Sequence, residues 1–206
     1  MYPRSLLAAT LGACLALASA IGETNETAAA AGPSYDCGKV EAGSIEQMIC
    51  QDVALSRLDR QMAEVYAAAR SKATNEHPPV LKAEQRGWIK GRDECWKSDD
   101  RRSCVQDLYR LRIAELQARY RLVPETGHIR YACDGVAANE VIVTFFETDP
   151  RTLIAERGES VSVMYAEPSG SGTRYRGRNE SFWEHHGEAL VTWGYEAPEM
   201  KCRPVE

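Results

Sequence analysis

Arg119-Tyr120-Arg121-Leu122-Val123-Pro124-Glu125-Thr126-Gly127-His128-Ile129-Arg130-Tyr131-Ala132-Cys133 is where the period of this sequence changes. Upstream, apolar residues recur every three or four positions. Downstream they recur every two. The first period belongs to a helix buried along one stripe, the second to a strand buried on one face. Pro124 ends the helical pattern, and Leu-Val-Pro-Glu-Thr-Gly over residues 122–127 marks the boundary.

Working upstream, residues 35–122 read as a small helical domain. Ser44 followed by Gln47 offers a capping box for a short helix ending near Cys50. Leu55, Leu58, Met62, Val65, Tyr66 and Ala69 form one stripe of a second helix. His77-Pro78-Pro79 breaks it. A third helix carries Leu81, Gln85, Trp88, Ile89 and Arg92. A fourth, from about Ser103, carries Val105, Tyr109, Ile113, Leu116 and Tyr120 on one face.

Working downstream, residues 128–203 alternate in short runs. These are Ile129/Tyr131/Cys133, Val141/Val143/Phe145, Val161/Val163/Tyr165 and Ala189/Val191/Trp193. Asp134-Gly135, Asp149-Pro150, Gly158-Glu159, Ser169-Gly170-Ser171-Gly172 and Gly177 supply turns between them. Many short strands with frequent turns predict an antiparallel sandwich or a small barrel. The fold class is therefore α+β in two domains.

Seven cysteines stand at 14, 37, 50, 95, 104, 133 and 202. The two-domain division pairs six of them by position. Cys37–Cys50 closes the entrance to the first helix, Cys95–Cys104 staples the third helix to the fourth, and Cys133–Cys202 ties the first strand to the last. Both domains are small, and such staples contribute roughly 2–4 kcal/mol each. Zinc is disfavoured because no CxxC spacing occurs. Nothing in the pattern calls for a metal or other cofactor.

An exported protein suits this cysteine usage. Met1 to Arg4 carries one positive charge, Ser5 to Ser19 is apolar, and Ala18-Ser19-Ala20 is a small-x-small cleavage site. That order is a signal peptide over residues 1–20, followed by a small, polar, flexible linker over 21–34. Leu11-Gly12-Ala13-Cys14 also fits a loose lipobox, so lipidation at Cys14 is the minority alternative. Either route delivers the chain to the periplasm or beyond. Membrane attachment is expected only if Cys14 is lipidated.

Of the 206 residues, 44% are hydrophobic and 27% charged, which excludes wholesale disorder. The net charge of −5 is unevenly placed. Residues 21–124 carry 16 basic and 16 acidic side chains; residues 125–206 carry 8 and 14. The acidic strand half suits a cationic partner and argues against nucleic acid.

Tyr35-Asp36-Cys37, Ile49-Cys50, Leu58-Asp59, Tyr66, Glu84-Gln85-Arg86-x-Trp88, Arg92-Asp93-x-Cys95 and Cys104 resemble the LprI-type N-terminal domain of bacterial envelope proteins. Tyr131-x-Cys133, Ser171-Gly172-Thr173-Arg174-Tyr175, Phe182-Trp183-Glu184-His185-His186-Gly187-Glu188-Ala189 and Cys202 resemble the C-type lysozyme inhibitors of the MliC/PliC family. The second resemblance implies an eight-stranded antiparallel barrel. It also implies inhibition by plugging, in which a serine, Ser171 here, hydrogen-bonds the catalytic carboxyl groups of lysozyme. The family's lysine opposite the catalytic aspartate is replaced by His185, and its following Gly-Asp by His186-Gly187. On this resemblance Ser171, Gly172, Tyr175 and His185 are the candidate lysozyme-binding residues and C-type lysozyme is the partner.

The chemistry of these residues agrees. A lysozyme works with one protonated and one ionised carboxyl group. A hydroxyl donates to the carboxylate and accepts from the acid, so one serine satisfies both. Gly170 and Gly172 allow a tight loop. Trp183 reads as core. A hydrolase built on Ser171, His185 or His186, and Asp134 is disfavoured, because no nucleophile elbow surrounds Ser171. The competing reading is an envelope binding or assembly module without lysozyme activity. His185 carries a charge only when protonated, and an ordinary histidine, half-protonated near pH ~6.5, is only partly charged at neutral pH. Inhibition measured against pH is expected to strengthen below that value; a flat profile removes His185 from the mechanism.

Overall fold

The computed structural model describes residues 32–76 and 79–205. The expected signal peptide, Cys14 and most of the expected linker lie outside these residues. Four helices come first: α1 (Ile45–Gln51), α2 (Val53–Lys72), α3 (Val80–Asp93) and α4 (Arg101–Arg119). Eight strands follow: β1 (Glu125–Cys133), β2 (Val136–Phe146), β3 (Thr152–Arg157), β4 (Ser160–Glu167), β5 (Thr173–Arg176), β6 (Glu180–His185), β7 (Glu188–Trp193) and β8 (Glu199–Val205). They form a closed antiparallel barrel in which each strand pairs with the next and β8 returns to β1. No helix among the described residues is long and apolar enough to cross a membrane.

Polar side chains start the helices. The Ser44 hydroxyl accepts from the Gln47 amide at 3.1 Å, and the Gln47 side chain accepts from Gly43. Asp52 accepts from Ala54 and Leu55, and Asp100 from Ser103, which satisfies first-turn N–H groups that have no partner within their helix. Leu55, Met62 and Ala69 of α2 face Val105, Tyr109 and Leu116 of α4 within one apolar cluster. Arg121, in the left-handed region, ends α4 by letting the Leu122 amide reach back to the Gln117 carbonyl.

Three charged side chains, Asp59, Arg92 and Arg112, are buried inside this helical layer, and the first two share one partner. Asp59 of α2 is 6% exposed and Arg92 of α3 is 5% exposed. The Tyr109 hydroxyl lies between them, donating to Asp59 at 2.7 Å and accepting from Arg92 at 2.9 Å. Arg92 also donates to Glu46 and Asp93. The other Asp59 oxygen accepts from the Ser34 amide and hydroxyl, so Ser34, at the end of the stretch read as linker, is pinned onto α2. Burial pushes the Tyr109 hydroxyl well above its ordinary pKa. It stays a donor, and each buried charge keeps a partner.

The barrel interior is filled by Tyr131, Val143, Leu153, Met164, Phe182 and Val191 with their neighbours, as an eight-stranded barrel requires. Cys133 lies directly opposite Cys202 where β1 meets β8, and these two are bonded. Cys37–Cys50 joins a short 3-10 turn to α1, and Cys95–Cys104 joins the turn after α3 to α4.

One strand faces the opposite way from its apparent pattern. In β4 the alternating Val161, Val163 and Tyr165 suggest the inward face, yet Ser162 and Met164 point into the barrel and Val161 is 60% exposed. The reason is α4, which packs outside β3 and β4. Ala118, Phe146 and Ile154 form a second apolar layer there, with Val123 and Val163 against it. Strand β3 is consequently buried on both faces, from Thr152 through Ala155.

Replacing Tyr109 by Phe leaves its shape intact but strips a partner from both Asp59 and Arg92. Denaturant unfolding is expected to show a loss of roughly 1–3 kcal/mol. A loss below ~0.5 kcal/mol would mean that the two charges are satisfied without the hydroxyl.

Candidate functional site

In a barrel whose strands run alternately up and down, every second connection lies at the same end. The β2–β3 loop (147–151), the β4–β5 loop (168–172) and the β6–β7 turn (186–187) therefore share one rim with the start of β1. Ser171 sits in the β4–β5 loop and is exposed. Its carbonyl accepts from the Ser169 hydroxyl at 2.6 Å and from the Trp183 indole at 3.0 Å. Its own hydroxyl makes no hydrogen bond among the described residues. The loop backbone is fixed while the side chain points to solvent.

Gly172 explains how the loop lies so close to the sheet. Its φ is +64°, and a Cβ there would lie 2.0 Å from the Glu184 carbonyl oxygen and 2.9 Å from the His185 Cβ. Only glycine tolerates both the backbone conformation and the contact. Gly170 has open space around it and an ordinary φ, so of the two flanking glycines Gly172 is the one the geometry demands.

His185 ends β6 beside this contact. Its ring lies 4.3 Å from that of Trp183 and 5.4 Å from that of His186. His186 and Gly187 both have positive φ, forming the two-residue turn that pairs His185 with Glu188. Glu188 is held below the usual carboxylate range by its hydrogen bond to Arg203. Arg174 and Arg176, which follow the loop on β5, share Glu167 at 3.7 and 2.7 Å.

Tyr175 is 6% exposed, with its ring against Phe145 and Phe182 where a cavity enters this rim. Trp183 is not in the core. Phe182 faces inward, so the next residue faces outward, and Trp183 uses its N–H to hold the Ser171 carbonyl. The adjacent aromatics Phe182-Trp183 carried that signal, since neighbours on a strand occupy opposite faces.

Comparison with known proteins covers both parts of the chain. Residues 37–122 match the family model described as lysozyme inhibitor LprI, and residues 131–200 match membrane-bound lysozyme-inhibitor of c-type lysozyme. The chain is 31% identical over 185 residues to lipoprotein LprI of Mycobacterium bovis and of Mycobacterium tuberculosis, covering 89% of each chain. The chain belongs to the LprI family. No solved structure matches it.

Within this LprI-family chain the strand-region match includes Ser171, Gly172 and His185, together with Trp183 beneath them. The helical match includes Asp59, Arg92 and Tyr109. Gly172→Ala is expected to keep the circular dichroism of the barrel while lifting the loop off β6. The NMR signal of the Trp183 indole N–H should then shift or broaden; an unchanged signal means that the loop absorbs the added methyl without moving.

Proposed function

We propose that this protein inhibits a C-type lysozyme, entering its catalytic cleft with the Ser171 loop, outside the cytoplasmic membrane. The observation that supports it most is the presentation of Ser171: an exposed hydroxyl with no partner among the described residues, on a backbone held by Trp183 and clamped at Gly172. A loop ordered before binding loses little entropy on complex formation. In the cleft, the hydroxyl donates to the ionised carboxylate and accepts from the protonated acid. His185, adjoining Gly172, stands where a cation meets the catalytic aspartate. The protein acts as a binder, with no turnover of its own.

The location follows the same reasoning. Three disulfides suit an oxidising compartment, and the mycobacterial relatives are lipoproteins by name. We place the signal peptide at residues 1–20, with lipidation at Cys14 as the alternative. The working units are a helical domain over 35–122 and a barrel over 128–203. One observation favours a second role, as an envelope binding module: a groove of about 300 Å³ in the helical layer, lined by Tyr35, Asp59, Tyr66, Trp88 and Arg92 among others.

The test is a lysozyme turnover assay titrated with the folded, oxidised protein, beside Ser171→Ala. A hydrogen bond to a charged group is worth roughly 1.5–3 kcal/mol, so inhibition should weaken about ten- to a hundredfold. Absence of inhibition by the wild type at micromolar concentration overturns the proposal and leaves the envelope-module reading.

A further inference from the structure

The end of the barrel that carries the Ser171 loop is open. A cavity of about 360 Å³ enters it, with Ile129, Phe145 and Tyr175 as its floor and Glu147, Arg151 and Glu184 at its rim. The charges are unequal. Glu147 and Arg151 pair with each other at 2.7 Å. Glu184 has neither an ion pair nor a hydrogen bond among the described residues, although it is half-buried and lies on the inward face of β6. The Tyr131 hydroxyl is pushed up to about 12, by burial first and by the Glu184 charge second.

Glu184 also belongs to the loop. Its backbone carbonyl is the atom against which Gly172 packs, while its side chain points into the cavity. A protein seated on the Ser171 loop therefore lies against the cavity mouth. Covering a half-buried carboxylate removes its remaining water, which is costly unless a cation replaces it. The floor is apolar and aromatic, so the matching group has a long alkyl stem and a charged tip. That is a lysine or arginine side chain, whose stem packs on apolar surface and whose cation is attracted to aromatic faces.

We propose that the barrel mouth is a second subsite for the partner, taking one basic side chain of the lysozyme onto Glu184 while the Ser171 loop occupies the cleft. The inference rests on the lysozyme reading above and deepens it. Ser171 addresses the catalytic carboxyl groups, which any such lysozyme possesses. Glu184 addresses a basic residue outside the cleft, which differs among lysozymes, and so sets preference among them.

The experiment compares wild type, Glu184→Gln and Glu184→Lys, as full oxidised chains, in binding to a basic C-type lysozyme at low and at physiological salt. Ser171→Ala is run in parallel. Matched thermal midpoints establish that the Glu184 variants fold. Glu184→Gln should weaken binding about tenfold, mainly through faster dissociation, and flatten the salt dependence. Glu184→Lys should weaken it further. A Glu184→Gln affinity within twofold of wild type, with Ser171→Ala still impaired, overturns the subsite and leaves the plug standing. Absence of inhibition by the wild type removes both.

Discussion

Phe182 sits fully buried in the barrel, its ring against those of Tyr131, Phe145 and Tyr175. Much of the site follows from that one seat. Side chains of a strand alternate, so Trp183 must stand outside, Glu184 inside and His185 outside. Trp183 has a donor that needs an acceptor, and it finds the carbonyl of Ser171. Tyr175, opposite Phe182 on β5, is drawn inward by the same aromatic cluster. A slip of β6 by one position would move Phe182, Trp183, Glu184 and His185 to the wrong face.

The second constraint comes from the helices. An isolated eight-stranded barrel presents its whole outer surface to water. Here α4 covers the outside of β3 and β4, and Ala118 meets Phe146 and Ile154 across the junction. Nearer the rim, Arg110 of α4 reaches Asp149 of the β2–β3 loop at 2.6 Å. That loop is tied to the next, since the Arg151 carbonyl accepts from Ala166, just ahead of the Ser171 loop. The helical layer thus contacts the neighbour of the Ser171 loop as well as the wall of the barrel.

Those two constraints divide what the sequence reveals from what it hides. Strands β1 and β7 are legible because only their inner face is buried, so Tyr131 and Val191 keep a clean alternation. Strand β3 shows no alternation and that of β4 points to the wrong face, because burial by α4 depends on a contact remote in sequence. The helical stripes are plain in Leu55 to Ala69. The buried pair Asp59 and Arg92 is not, since its partners lie as far as 50 residues away in the chain. In the loop, Ser171 stands out by its glycine-rich setting, but the unequal demands on Gly170 and Gly172 depend on the backbone of β6, which local sequence does not specify.

The bond between Cys133 and Cys202 has a topological consequence. It joins the first strand of the barrel to the last, so residues 134–201 form a covalently closed loop containing the whole exposed rim except the start of β1. A protease that cuts this loop once, even at Ser171 itself, releases no fragment. Both pieces remain joined through sulfur and through the uncut ladders around the barrel. Severing the rim from the molecule takes two cuts, or one cut and a reductant.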